Sequence, residues 1–162
     1  MASHDYVFLT RWRVRGCREE AYDVLFDALD YVRWWPDVYL EVRQTAPARA
    51  DGTGRQFRLL TKGKLPYRLR WSTEIVEASR PQMFTLRATG DFEGRGIWSL
   101  RQEGEDVAIE FDWRLRAEKP LLRSLSFCLK PLFSWNHRWA MARGEESLQV
   151  ELARRHRAAS RT

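Results

Sequence analysis

The sequence predicts an α+β domain: an antiparallel sheet of six or seven strands curled around one long C-terminal helix, with two short helices after the first strand. Three observations predict it. Between residues 6 and 116, apolar and polar residues alternate in short runs divided by turn signals, which is the period of half-buried strands. From residue 131 to about 155 the period becomes helical, placing Phe133, His137, Ala140, Met141, Gly144, Leu148 and Leu152 on one face. A sheet with one apolar face must also be covered, and only that helix is long enough to cover it.

The elements follow in order. Residues 6–14 alternate, with Tyr6, Phe8, Thr10, Trp12 and Val14 on one face and Arg11 and Arg13 on the other. After Gly16, the acidic pair Glu19 and Glu20 opens a helix carrying Ala21, Val24, Leu25 and Ala28 at helical spacing. A second short helix over 30–34 is stopped by Pro36, which pushes Trp35 toward extended backbone. Strand patterns then occupy 38–45, 55–62, 67–78, 82–89, 97–102 and 107–116, and residues 90–96 read as a hairpin loop. The last strand is the clearest, with Val107, Ile109, Phe111, Trp113 and Leu115 opposite Glu110, Asp112 and Arg114. Short successive strands imply an antiparallel meander. The apolar segment 120–131 reads as a further short helix that serves as core, as a lid, or as a membrane-touching surface.

Length and composition bound the function. The 162 residues fit one domain with a core over about 5–153 and a basic tail over 154–162. Eight Trp, eight Phe and five Tyr suit either a large aromatic core or the lining of a pocket for flat, greasy molecules. The net charge is +6, with 24 of the 28 basic residues Arg, but Glu and Asp are interleaved with them. Nucleic-acid binding through an Arg-rich sheet face is therefore a minor alternative, since such binding uses clustered charge. Cys17 and Cys128 lie far apart and read as free thiols. No export-type N-terminus and no apolar run long enough to span a membrane appear, so a cytoplasmic location is expected. Neither a metal nor a cofactor is expected: there is no histidine or cysteine cluster, no phosphate-binding glycine loop and no nucleophile elbow.

The element order, Trp34-Trp35-Pro36 after paired short helices, Gly90-Asp91-Phe92-Glu93-Gly94, Phe111-Asp112-Trp113, and Asn136-His137 leading to Met141 and Gly144 resemble the START-like (SRPBCC, helix-grip) superfamily over about residues 5–153. That group includes polyketide cyclases/dehydrases, lipid-transfer domains and plant pathogenesis-related allergens. The resemblance implies a seven-stranded sheet gripping the C-terminal helix around an apolar cavity. It implies either a carrier or sensor of a small lipophilic or aromatic molecule, or a cyclase/dehydrase-type enzyme using the same cavity. No catalytic set carries over.

In such a cavity the strands would contribute Tyr67, Leu69, Trp71, Phe84, Leu86, Trp98, Phe111 and Trp113, and the helix Phe133, Asn136, His137, Ala140, Met141 and Gly144. Thr10, Thr61 and Thr73 add hydroxyl groups. A helix-interior glycine costs about 1 kcal/mol relative to alanine, so Gly144 marks a place where something comes close. Within the cavity His137 is the candidate for proton transfer; otherwise it simply hydrogen-bonds a neighbouring strand or caps a loop. Asp91 and Glu93 would border the mouth as an acid pair or stand as solvated turn residues. Trp135 and Trp139, on the far side of the helix, would pack on Trp34-Trp35 or form a homodimer surface.

Overall fold

A computed structural model of the chain describes residues 5–117 and 120–162 and, among these, the side chains of all but 117 and 120–129. The elements run β1 (Asp5–Arg15), α1 (Arg18–Phe26), a 3₁₀ turn (Ala28–Asp30), α2 (Tyr31–Trp34), β2 (Tyr39–Ala46), β3 (Gln56–Lys62), β4 (Arg68–Ser79), β5 (Met83–Gly90), β6 (Phe92–Glu103), β7 (Asp106–Ala117) and α3 (Pro120–Ala159). The seven strands form one antiparallel sheet in the order β1-β7-β6-β5-β4-β3-β2. Consecutive strands from β2 to β7 are neighbours, as short turns require, and the two helices after β1 carry the chain to the opposite edge. This is a helix-grip architecture.

Alternation decides the faces. On β7, Val107, Ile109, Phe111 and Trp113 are buried toward α3. The outer face pairs its charges across strands: Arg11 with Glu110 (3.2 Å), Arg13 with Asp106 (3.0 Å), and Arg87 with Glu74 (2.8 Å). Such exposed pairs contribute little each.

Helix α3 lies beside the free edge of β1 and satisfies its backbone. The Arg13 amide donates to Glu145 (2.9 Å), and the Arg15 amide donates to Gln149 Oε1 (2.8 Å), whose Nε2 returns a bond to the Arg15 carbonyl (3.2 Å). Residues 145 and 149 stand one turn apart, which matches the two-residue step along the strand. An edge that would otherwise offer itself to another strand is thereby closed at this end.

The C-terminal half of α3 is also anchored from below. Leu148 and Leu152 are fully buried. Glu151, 3% exposed, accepts from Arg33 (2.6 and 3.0 Å), Arg154 (2.8 and 3.0 Å) and Arg155 (2.9 Å), tying α2 to α3. Burial pushes its pKa up, but the bonds from Arg154, Arg33 and Arg155 together outweigh this and hold it far below the usual carboxylate range.

Three boundaries differ from the sequence reading. Pro131 does not begin the helix: α3 is continuous from Pro120, so the separate short helix over 120–131 is not observed. Pro131 withholds one amide from the ladder, yet the turns on either side keep theirs and the helix runs on. The choice among core, lid and membrane contact for residues 121–129 concerns side chains outside those described. The loop over 90–96 shrinks to a turn at Gly90 and Asp91, because β6 starts at Phe92 and takes in Gly94 and Gly96. Glycine there reflects crowding rather than a loop: a Cβ at 96 would meet the Trp113 ring at 2.7 Å and the Phe111 ring at 2.8 Å. Finally, residues 154–159 are not a tail but the last turns of α3.

Trp35 occupies the space that the Gly144 reading left open. It is 2% exposed, stacks on Trp34 (5.5 Å) and meets Trp12 edge-on (5.6 Å). A Cβ at residue 144 would lie 2.6 Å from its Cε2 atom. Trp35 therefore packs on Gly144. Trp135 is exposed, and Trp139 is partly buried beneath the Lys64 ammonium (5.6 Å).

Two outcomes follow. Gly144→Leu should lose about 1–3 kcal/mol of unfolding free energy in a denaturant titration, because overpacking against Trp35 exceeds the gain in helix propensity. Glu151→Gln should cost about 1–3 kcal/mol at pH 7, less than a fully buried pair because its three arginines remain 36–52% exposed. Its folded pKa is depressed, so the carboxylate's contribution is complete above its ordinary pKa of about 4.3 and fades as pH falls below it. The gap between variant and parent should narrow over that range.

Candidate functional site

Between the sheet and residues 133–141 of α3 lies a cavity of about 180 Å³. Its sheet wall carries Leu69, Trp71 and Thr73 from β4, with Tyr67 just before that strand, Phe84 and Leu86 from β5, Trp98 from β6, and Phe111 and Trp113 from β7. Its helix wall carries Phe133, Asn136, His137, Ala140 and Met141. Of the residues named from sequence, Gly144 is not on this wall, because the Trp35 ring covers it and forms part of the cavity's end instead.

The lining is one aromatic assembly. Trp98 stacks on Phe111 (4.1 Å), Phe111 on Trp113 (5.3 Å), and Trp113 meets Trp71 (5.8 Å) and Phe92 (5.8 Å). At the other end, Phe133 stands between Tyr6 (6.3 Å) and Tyr67 (5.8 Å), while Phe8 stacks on His137 (4.1 Å). Tyr6, Phe8, Phe57, Leu59, Phe92 and Leu115 also line the space but were absent from the predicted set. The signal for Tyr6, Phe8 and Leu115 was present in the alternation of the first and last strands; pairing of β1 with β7 is what brings those residues to the cavity.

Polar groups are few, and they divide into two kinds. The first kind is spent on structure. Asn136, buried, accepts from the amides of Lys64 (2.6 Å) and Leu65 (3.0 Å), and its Nδ2 donates to Tyr67 Oη (3.1 Å). That fastens the β3–β4 hairpin to α3. Trp71 Nε1 donates to Thr61 Oγ1 (3.1 Å). The second kind has no partner among the described residues: Tyr6 Oη, Thr73 Oγ1, Trp35 Nε1 and His137 Nε2, all buried atoms of residues that line the cavity.

His137 is held neutral. Burial, reinforced by the neighbouring Arg138 charge, pushes its pKa from 6.5 down to about 4. Burial raises the pKa values of Tyr6 and Tyr67, so both phenols keep their protons. The other acid/base candidates are elsewhere. Asp91 sits in the β5–β6 turn and ties it to β4, its carboxylate accepting from the Arg70 amide (2.9 Å), and Glu93 is exposed; neither lines the cavity. Thr10 does not line it either. Among the described residues no His, Cys, Asp and Glu are grouped so as to hold a metal, and no helix is long and apolar enough to cross a membrane.

No family model matches the chain, and no curated protein matches it in sequence. Solved structures do match in fold. A START superfamily protein from Mycobacterium smegmatis superposes with a TM-score of 0.73 at 14% identity, over 91% of this chain and 97% of that one. The Zhui aromatase/cyclase from Streptomyces sp. R1128 gives 0.70 at 16% identity, over 96% and 98%. Norcoclaurine synthase from Thalictrum flavum, in complex with dopamine and hydroxybenzaldehyde, gives 0.64 at 12% identity, over 93% and 87%. The chain has the START-like helix-grip fold.

The buried imidazole sets a pH dependence. In the unfolded chain His137 takes up a proton near its ordinary 6.5, whereas in the folded chain it resists protonation until about pH 4. The unfolded state thus binds more protons between these values, and stability should fall as pH drops through that window, by at most about 1.4 kcal/mol per pH unit. Unfolding titrations at pH 7, 5.5 and 4.5 should show this slope, and His137→Phe should flatten it.

Proposed function

We propose that the chain binds a small, largely apolar aromatic molecule in the cavity between the sheet and α3, as a carrier or sensor. The observation that carries this reading is the cavity itself: about 180 Å³, walled by aromatic rings, with unpartnered buried polar atoms on its lining. Apolar walls with a few polar groups are what small-molecule sites present. An engineered apolar cavity of about 150 Å³ takes up benzene, so the volume suits a ligand of one or two rings.

Cyclase- or dehydrase-type chemistry in the same cavity would need a placed acid or base. A general base works best with a pKa near the operating pH, and His137 titrates near 4. Tyr6 and Tyr67 are shifted the other way. His137, Tyr6 and Tyr67 therefore favour binding over proton transfer. The outer sheet face weighs against nucleic acid as a partner, since Arg11, Arg13, Arg87, Arg114 and Arg116 each pair with a carboxylate.

Native mass spectrometry of the protein purified from its own host should reveal a co-purified small aromatic or lipophilic molecule; a polar or ionic adduct would overturn the reading. Ala140→Leu tests the location. Ala140 lines the cavity on the helix wall, and leucine is nearly as good a helix former. The variant should unfold at the same denaturant concentration as the parent or a higher one, while binding of 2-naphthol, followed by calorimetry, is lost. Retained binding would place the ligand elsewhere.

A further inference from the structure

We propose that Tyr6, Tyr67 and His137 form a polar subsite at the Phe133 end of the cavity, built to take a ring-borne hydroxyl group such as a phenol. The inference rests on the binding reading above and specifies which ligands that cavity prefers.

The three residues are linked by four ring contacts. Phe133 has Tyr6 on one side and Tyr67 on the other, at 6.3 and 5.8 Å between ring centres. One helical turn further on, His137 stacks on Phe8, whose ring in turn stacks on Tyr6 (5.9 Å). All three residues line the cavity. Tyr6 is 4% exposed, and its hydroxyl has no partner; the buried Nε2 of His137 has none either.

Tyr67 completes the set by the direction of its hydrogen bond. The Asn136 side chain is fixed because its Oδ1 accepts two backbone amides, so its Nδ2 must be the donor to Tyr67 Oη. The Tyr67 oxygen is then an acceptor in that bond, and its own proton remains to be donated. The subsite therefore offers two phenolic O–H donors and one imidazole nitrogen, with no formal charge among them.

That combination selects among oxygen groups. A carboxylate would bring a charge that the two tyrosines and the imidazole do not balance: Lys130 lies over the Tyr6 ring (5.2 Å) but donates to the Asp5 carbonyl (2.7 Å), and Lys62, which also lines the cavity, is exposed to solvent. An ether or ketone accepts only, and so leaves an imidazole nitrogen in its acceptor form unpaired. A hydroxyl both accepts and donates. It can take a proton bond from a tyrosine and give its own to His137 Nε2. Its ring then extends along the Trp71, Trp98 and Trp113 wall.

Calorimetric titration with naphthalene, 2-methoxynaphthalene, 2-naphthoate and 2-naphthol tests this. The expected order puts 2-naphthol first, about 10-fold tighter than naphthalene, with the ether and the carboxylate weaker than the phenol. Tyr6→Phe should reduce that preference to 2- or 3-fold, read as the ratio of 2-naphthol to naphthalene affinity for the same variant. Its unfolding midpoint should be at or above that of the parent, because the deleted hydroxyl has no partner among the described residues. Independently of any variant, the ¹⁵N resonance of His137 Nε2 should move on addition of 2-naphthol and stay in place with naphthalene. Equal affinities for naphthalene and 2-naphthol, or tightest binding of the ether or the carboxylate, would overturn the subsite and leave the cavity reading standing. Failure of all four compounds to bind would overturn both.

Discussion

The seating of Trp35 on Gly144 sets the distance between the C-terminal helix and everything it covers. At that point the helix has no side chain, and an indole fills the gap completely. Beyond it, toward the C-terminus, Leu148, Glu151 and Leu152 are all nearly inaccessible, and the helix is locked by packing and by the arginines around Glu151. Toward the N-terminus the helix presents Ala140, His137 and Phe133, which are only partly buried, and the cavity opens there. One tightly packed half thus holds the other half away from the sheet. Trp35, which closes α2 just before Pro36 with ψ 51° rather than in the extended backbone expected of it, and the glycine that receives it lie far apart in sequence and act as one device.

Much of this was legible because the alternation of a half-buried strand is a direct record of which side faces the core. Tyr67, Leu69 and Trp71, or Phe111 and Trp113, could be assigned to the inner wall without knowing what they face. Position along the sheet was harder. Tyr6 and Phe8 belong to the site only because β1 returns to pair with β7, a long-range contact that no local pattern encodes. Gly94 and Gly96 misled in the opposite direction. Three glycines within seven residues, counting Gly90, suggest a loop, yet Gly94 makes room for the β7 backbone at Arg114 and Leu115 and Gly96 for the rings of Phe111 and Trp113. Gly144 was correctly read as a close approach, but a close approach to tryptophan and not to a ligand. A sequence shows that space is needed; it does not show who occupies it.

Pro131 illustrates the same limit for helices. Proline is a good stop signal because it removes a donor and crowds the preceding turn. Tertiary context overrides that preference when the turns that follow are held by other contacts. Here the held turns include Asn136, whose side chain binds two amides of the β3–β4 hairpin, and Glu145 and Gln149, which bind the edge of β1. The helix is positioned by its side chains on both flanks, and one missing amide does not end it.

The distribution of unpartnered polar atoms is the strongest sign that this core was not assembled for stability alone. Leaving a buried donor or acceptor unpaired costs about 1–3 kcal/mol, so packed interiors avoid it. The indoles of Trp12 and Trp34 are unpartnered within the packed region, where each ring's large buried area offsets one lost bond. Tyr6 Oη, Thr73 Oγ1 and His137 Nε2 are different, because phenylalanine, valine or leucine would pack there without the penalty. His137 adds a second cost, since burial forces it to stay neutral and makes the fold more sensitive to acid. Three such groups on the lining of one cavity are hard to account for as core chemistry. They are accounted for if a bound molecule supplies the missing partners, because the desolvation penalty already present in the free protein then becomes affinity and selectivity in the complex.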